Sequence, residues 1–290
     1  MDDKEKIVAN KALFDFEEDY NSKELKRNKN LDCFEPSSSA YFPKIESKKF
    51  NEEETVVYEV NTDCDIPDAY IIDNTRDNPF KMICKIVTGI EGLLSKVGTG
   101  FFISPRCIIT AGHNLHWNTV YGDKWVEVAK IIPGSRDRTL TDNDEEPFGV
   151  AYSEVFRSVS GFVNFGIDSY DYGAIILHDC SLFNRINKQF DYGLIKREKR
   201  IYHCGYRNAG RYSGNMSLNE GDLLQNNKFT IDYNFDVSNG NSGGPTFIER
   251  KKETFKVIGV HTQKKERCTQ ESIKIRKKVI EKFNIWTNIR

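Results

Sequence analysis

The sequence predicts an all-β protein. Its apolar stretches are short, of strand rather than helix length; turns rich in Gly, Asn and Ser separate them; and a helical apolar period appears only near the carboxy end. A chain of 290 residues can bury a large core. That leaves room for one domain of roughly 200 residues plus an extension.

The elements follow in order. Residues 1–54 mix Lys, Glu, Asp, Asn and Ser. Within them Asn10 to Tyr20 offers only a narrow apolar face from Leu13, Phe14 and Phe16, and Ser37 to Pro43 reads as a loop, so the segment is predicted to be a mostly flexible amino-terminal extension. Val56 to Val60 and Tyr70 to Ile72 are short strand candidates. Met82 to Val87 is the first well-defined strand, followed by Val97 to Ile103 and Cys107 to Thr110 around a Ser104-Pro105-Arg106 turn. In Trp125 to Ile132 the strand period is imperfect, since Val126 and Val128 share one face while Ala129 and Ile131 take the other. Arg136 to Glu146 reads as a solvated loop, Val150 to Phe162 as a strand and turn, and Ala174 to Leu177 as the strand closing the first half.

After a Cys180 to Tyr192 connection, Lys199 to Gly205, Phe229 to Phe235, Thr246 to Glu249 and Phe255 to His261 read as strands, with Asn208 to Ser217 a loop. Glu271 to Phe283 sets Ile273, Ile275, Val279, Ile280 and Phe283 at roughly helical spacing, with Thr269 as a possible cap. Its basic residues fit the solvated outer face of a carboxy-terminal helix.

Composition narrows the function. With 42 Lys and Arg against 43 Asp and Glu, the net charge of −1 argues against nucleic acid as a partner. No apolar run is long enough to span a bilayer, so no membrane partner is expected. The opening Met1-Asp2-Asp3-Lys4-Glu5-Lys6 lacks the pattern of a secretory signal, and a cytoplasmic location is expected. Seven cysteines form no close Cys-x-x-Cys pair, so neither a full disulfide framework nor a metal site is expected. Cys84, Cys107, Cys180 and Cys204 lie in or beside apolar stretches, where free thiols act as small buried hydrophobes. No cofactor is implied, and the oligomeric state is left open.

Three short segments carry chemistry. Gly240-Asn241-Ser242-Gly243-Gly244-Pro245 is a glycine-packed turn between strand-like segments. It can present Ser242 as a nucleophile while aiming successive backbone N–H groups into one small space, although a Gly-rich hexamer is as often a surface loop. His113 follows the strand Cys107 to Thr110, where a lone histidine is more often structural. Asp171 directly precedes an apolar strand; beside an imidazole it would fix the tautomer, and otherwise it is a turn former. Asp168 and His116 are weaker alternatives for the carboxylate and the base. The order His, Asp, Ser is that of the chymotrypsin-type arrangement.

On these motifs the chain resembles the trypsin-like serine peptidases, and within them the glutamyl endopeptidase, or V8-like, branch. The matching residues are Thr110 to His113, Asp171 to Ile175, Gly240 to Pro245 and Val257 to His261, with a shorter likeness at Asn74-Thr75-Arg76 and Pro79-Phe80; the likeness spans roughly residues 70–285. The resemblance implies two six-stranded antiparallel β-barrels, about residues 70–180 and 190–265, and a helix at about 270–284. The whole forms a peptidase domain over 55–290 with its site in the cleft between the barrels. It also implies that residues 1–54 could be a propeptide, since members of that branch are made as zymogens.

By the same resemblance the chain is a serine endopeptidase acting on a polypeptide substrate through an acyl-enzyme. Catalysis would use His113, Asp171 and Ser242, with the N–H groups of Gly240 and Ser242 receiving the oxyanion. His261 sits where glutamyl endopeptidases contact the substrate carboxylate, which implies cleavage after Glu or Asp. Val237 stands where that branch usually offers Thr or Ser, with Ser238 the donor that could replace it. Asp236, six residues before Ser242, is the competing signal for a Lys or Arg preference. Two further departures are Asn114, where the wider family commonly has a Cys, and Asn241, where it has an Asp. The alternative function is a catalytically silent protease-like module that binds acidic peptides.

Overall fold

A computed structural model describes residues 16–22, 69–90, 96–119, 122–137, 144–208, 213–251, 253–264 and 269–289. The predicted strand Val56 to Val60 and most of the extension lie outside them. Two large sheets pack together, and the all-β class holds. The two six-stranded barrels do not.

The first sheet has eight strands and is open, a half-barrel. From edge to edge they are Asp19–Asn21, Phe156–Val159, Gly173–Ile176, Cys107–Thr110, Lys96–Ser104, Ile83–Gly89, Val128–Pro133 and Ala151–Ser153. Its closure fails at a corner of the chain. Ala151–Ser153 ends one edge and Phe156–Val159 begins beside the other, and between them the ladder gives way to single bonds: Ser153 Oγ donates to the Ile176 carbonyl at 2.7 Å and the Ile176 N–H donates to the Val155 carbonyl at 2.9 Å. The free side of Phe156–Val159 is occupied instead by Asp19–Asn21.

The second sheet contains a closed ring of six strands: Arg200–Tyr206, Met216–Asn226, Thr230–Tyr233, Gln270–Lys274, Thr254–Lys264 and Pro245–Lys251. Two more strands attach to it. Tyr70–Ile71 pairs with Met216–Asn226, and Asp191–Tyr192 runs parallel to Thr254–Lys264.

Further expectations are corrected. The segment predicted as helix from residue 271 is split: Gln270–Lys274 is the strand that closes the ring, pairing with Thr230–Tyr233 on one side and Thr254–Lys264 on the other, and the helix is Lys277–Thr287. Gln270 to Ile273 are all buried, so no polar face shows a period of two, and Ile273 and Ile275 fall by accident in register with the helix's Val279 and Phe283. Thr269 is not the residue at the cap position, which is held by Arg276 before the first turn. Nor are residues 16–22 a free tail, since Asp19–Asn21 is a strand of the first sheet.

Cys84, Cys107 and Cys204 are free and buried, as expected, but Cys180 is disulfide-bonded, which corrects its reading as a free thiol. Among the described residues, no helix is long and apolar enough to cross a membrane.

Ile273 tests the ring closure. It is fully buried between Thr230 and Val260, so Ile273→Ala is expected to cost about 2–5 kcal/mol in urea unfolding, as a core truncation does. A cost under about 0.5 kcal/mol, the size usual for an exposed position, would contradict this placement.

Candidate active site

Strand register brings His113 to Asp171. Gly173 lies opposite Thr110 in antiparallel pairing, so the residues just after Thr110 and just before Gly173 emerge at the same sheet end. Each continues into one short helical turn, Gly112–Asn114 and Asp168–Tyr170. Asp171 Oδ1 then accepts the His113 backbone N–H at 2.8 Å, and Oδ2 meets Nδ1 at 2.6 Å. A buried carboxylate placed so favours the tautomer with the ring proton on Nδ1, in which Nε2 of the partly exposed imidazole is an acceptor. Asp168 is exposed and His116 packs edge-on against Trp125, so neither joins the pair.

Ser242 arrives from the second sheet on a turn fastened to the first. Its carbonyl accepts from the Thr99 N–H at 2.8 Å and from Asn114 Nδ2 at 2.9 Å. Asn114 follows the histidine directly, and its Nδ2 also reaches Thr110 Oγ1 at 2.9 Å. The position commonly held by a Cys in the wider family thus carries a hydrogen-bonded clasp from the histidine's turn to the serine's carbonyl. Gly243 fits only as glycine: its φ is +87°, and a Cβ there would stand 2.1 Å from the Thr99 carbonyl oxygen. The Ser242 hydroxyl donates to the Thr262 carbonyl at 3.2 Å, and no hydrogen bond joins it to His113.

Thr99, unremarked in the sequence beyond its place in a strand, holds this junction. Its hydroxyl donates to the Gly240 carbonyl at 2.7 Å and accepts the Tyr206 N–H at 2.9 Å, while its own carbonyl accepts from Thr110 Oγ1 at 2.7 Å. Gly240 has φ +92°, the left-handed region open to glycine. Neither the Gly240 nor the Ser242 N–H donates to any described group. Asn241 braces the turn from within, its Oδ1 accepting the Ser238 N–H at 2.8 Å while its own N–H donates to the Ser238 carbonyl at 3.1 Å.

The residues expected to bind substrate are placed less simply. His261 is buried, with Nδ1 2.8 Å from the Tyr233 hydroxyl, which also lies 2.6 Å from Ser272 Oγ and accepts from Thr246 Oγ1 at 3.2 Å. Burial, with His203 and His113 nearby, holds the His261 imidazole well below its ordinary range, against an opposing effect of the Glu271 carbonyl. His203, whose ring centroid is 4.7 Å from that of His261, is pushed by burial from 6.5 to about 3. Val237 packs on the apolar cluster inside the second barrel, and the Ser238 hydroxyl donates to the Asn239 carbonyl at 3.2 Å. Asp236 forms a two-pronged ion pair with Arg207, at 2.9 Å to Nη1 and 3.3 Å to Nη2. Among the described residues, no group of three or more His, Cys, Asp or Glu is arranged to hold a metal ion.

Comparison with known proteins supports the architecture. No family model matches the chain. A curated relative, the "Extracellular metalloprotease" of Bacillus subtilis (strain 168), is 28% identical over 108 residues, which is 37% of this chain and 32% of the relative. The chain thus matches about a third of that relative's length. Among solved structures, a Glu endopeptidase in complex with MPD has a TM-score of 0.63 at 21% identity, covering 76% of this chain and 96% of that one. The protease Anisep from Arthrobacter nicotinovorans gives 0.59 at 17%, covering 71% and 95%. The thermostable serine protease AL20 from an extremophilic microorganism gives 0.61 at 16%, covering 72% and 98%.

At these identities the likeness is one of fold: this chain shares the fold of these proteases, and within that fold it holds the buried His113–Asp171 pair. The cytoplasmic expectation is overturned, because the curated relative is named as extracellular. A disulfide at Cys180 agrees with that correction, since such bonds persist in oxidising compartments.

Two measurements test the junction and the buried imidazoles. Thr99→Val removes a donor to the Gly240 carbonyl and an acceptor from the Tyr206 N–H in a fully buried place, at about 1–3 kcal/mol for each group left unmet. A loss of about 2–6 kcal/mol is therefore expected in urea unfolding, and a near-neutral result would contradict the assigned role. Because the folded pKa of His203 is depressed, below about pH 6.5 the unfolded chain binds a proton that the folded chain refuses, so stability falls as pH drops from there toward about 3. His203→Phe is expected to flatten the slope of stability against pH by up to about 1.4 kcal/mol per pH unit between about pH 5.5 and 4.

Proposed function

We propose that this chain is a serine endopeptidase. The observation that carries the reading is the joint placement of the His113 Nδ1 on Asp171 with the Ser242 turn, which is fastened by Thr99 and Asn114 to the same sheet end. The mechanism requires the Ser242 hydroxyl to leave the Thr262 carbonyl and donate to His113 Nε2. As the oxygen attacks the scissile carbonyl, His113 takes its proton and later returns it to the leaving amine, while Asp171 stabilises the imidazolium. The N–H groups of Gly240 and Ser242 receive the oxyanion. One such donor contributes roughly 3–4 kcal/mol to lowering the barrier. Water then hydrolyses the acyl-enzyme through the same base.

For specificity we favour an acidic residue before the scissile bond. The preference rests on His261, the group we propose for the substrate carboxylate, whose Nδ1 lies 2.8 Å from the Tyr233 hydroxyl in a buried hydrogen-bonded group with Thr246 and Ser272. The pairing of Asp236 with Arg207 weighs against the basic alternative, because its carboxylate already has a cation. One structural neighbour is named as a Glu endopeptidase, which agrees with this preference. The silent binding module has one observation in its favour, the bond from Ser242 Oγ to the Thr262 carbonyl.

Ser242→Ala is expected to lower peptide hydrolysis by a factor on the order of 10⁶ while circular dichroism stays unchanged. Hydrolysis that persists in this variant, or failure of a fluorophosphonate to label Ser242 in the parent chain, would sink the reading. A peptide library should show cleavage after Glu or Asp above cleavage after Lys or Arg, and His261→Ala should erase that difference.

A further inference from the structure

Residues 16–22 lie far in sequence from the site, yet they hold the residues on both sides of its carboxylate. Asp19, Tyr20 and Asn21 pair with Val159, Ser158 and Arg157. The chain just before that strand is fixed by two bonds, from the Ser160 N–H to the Glu18 carbonyl at 2.9 Å and from the Gly161 N–H to the Phe16 carbonyl at 2.8 Å. The Phe16 ring packs 5.8 Å from that of Tyr170. Glu17 is buried and accepts the Tyr172 hydroxyl through Oε2, while its Oε1 lies 2.8 Å from Arg276 Nη1. The Arg276 guanidinium in turn sits 5.4 Å from the Tyr170 ring centre. Asp171 stands between these two tyrosines.

We propose that Glu17 is a positioning residue for the His113–Asp171 pair. It anchors Tyr172 by its hydroxyl and, through Arg276, restrains Tyr170, so the backbone carrying Asp171 is fixed from both sides. The carboxylate must meet Nδ1 and the His113 N–H together, a fit that a shift of about 1 Å would break, with about 10²-fold loss in rate. The kinetic consequence rests on the endopeptidase reading; the geometric one does not.

The test uses the full-length chain with Glu17→Ala, Glu17→Gln and Tyr172→Phe, and with Asp19→Ala as the control. Asp19 lies on the same strand and accepts from Trp286 Nε1 at 2.6 Å, so its loss weakens the segment without removing a hydrogen bond to either tyrosine, although the Trp286 ring it holds packs 5.8 Å from that of Tyr172. Two readouts are followed: kcat and KM for a peptide substrate, and the low-field proton resonance of the His113 Nδ1–H bonded to Asp171. Glu17→Ala and Tyr172→Phe are expected to lower kcat about tenfold or more with KM within about twofold, and to shift or broaden that resonance. Glu17→Gln keeps an acceptor for the phenol and should recover most of both. Asp19→Ala should leave both near the parent values even where it lowers the melting temperature.

An unchanged resonance in Glu17→Ala and Tyr172→Phe would overturn the inference, as would losses no larger than those of the control at matched stability. If the parent chain hydrolyses no peptide, the endopeptidase reading fails by itself and the resonance alone decides the role of Glu17.

Discussion

The hydrogen bonds of Thr99 are the constraint on which the rest of the site depends. This one buried residue of the first sheet uses its N–H, its carbonyl and both capacities of its hydroxyl. Three of the four bonds reach the second sheet, two of them to the turn at Ser242 and Gly240 and one to Tyr206. Away from water, each such bond is stronger, and each group left without a partner is costly. A threonine here does more than an apolar residue of the same shape could: it sets the distance between two sheets and the tilt of the turn at once. Strand register within the first sheet brings His113 and Asp171 to one sheet end without this junction. Ser242 needs the junction as well.

That junction is built from neutral groups. In the wider family pattern an Asp before the serine pairs with a newly freed amino terminus; here Asn241 satisfies the Ser238 N–H inside the turn itself. Asn114 similarly replaces a covalent link with two bonds of its amide. Neither depends on protonation or on cleavage elsewhere in the chain. The pH-sensitive part of the second barrel lies deeper, at His203 and His261, whose burial resists charge. Acid therefore acts on the folded state of the barrel through these imidazoles, while the turn's own bonds are indifferent to it.

The parts legible in the sequence are those whose cause is local. Cys107–Thr110 and Gly173–Ile176 are apolar runs with turn residues at their ends, and the glycines of the Ser242 turn announce a tight reversal. Met216–Asn226 is not legible, because a strand carrying Glu220, Gly221 and Asp222 shows no apolar alternation even though its ladder partners are unambiguous. Gln270–Lys274 reads wrongly as helix because its polar side chains are buried by specific bonds, such as Ser272 Oγ to the Tyr233 hydroxyl, rather than turned to solvent. The role of Thr99 is invisible for a third reason: its partners at Tyr206 and Gly240 are more than a hundred positions away. Asp236 illustrates a signal with two outcomes, since its spacing from Ser242 is plain in the sequence while its Arg207 partner comes only from the fold.

The amino-terminal residues change how a removable extension has to be viewed. If residues 16–22 were discarded with the rest of 1–54, Phe156–Val159 would lose its edge partner and Trp286 Nε1 its acceptor at Asp19. The Tyr172 hydroxyl and the Arg276 guanidinium would lose Glu17 together. Breaking a buried ion pair by removing one partner costs about 3–5 kcal/mol, a large part of the stability of an ordinary domain. Arg276 would keep its contact with the Phe229 ring, 4.6 Å away, but a ring face cannot replace a carboxylate in a buried place. A mask that leaves on activation should bind by contacts the mature domain can do without. These contacts include the supports of the residues flanking Asp171, so residues 16–22 are built into the first sheet, and their removal would leave those supports unmet.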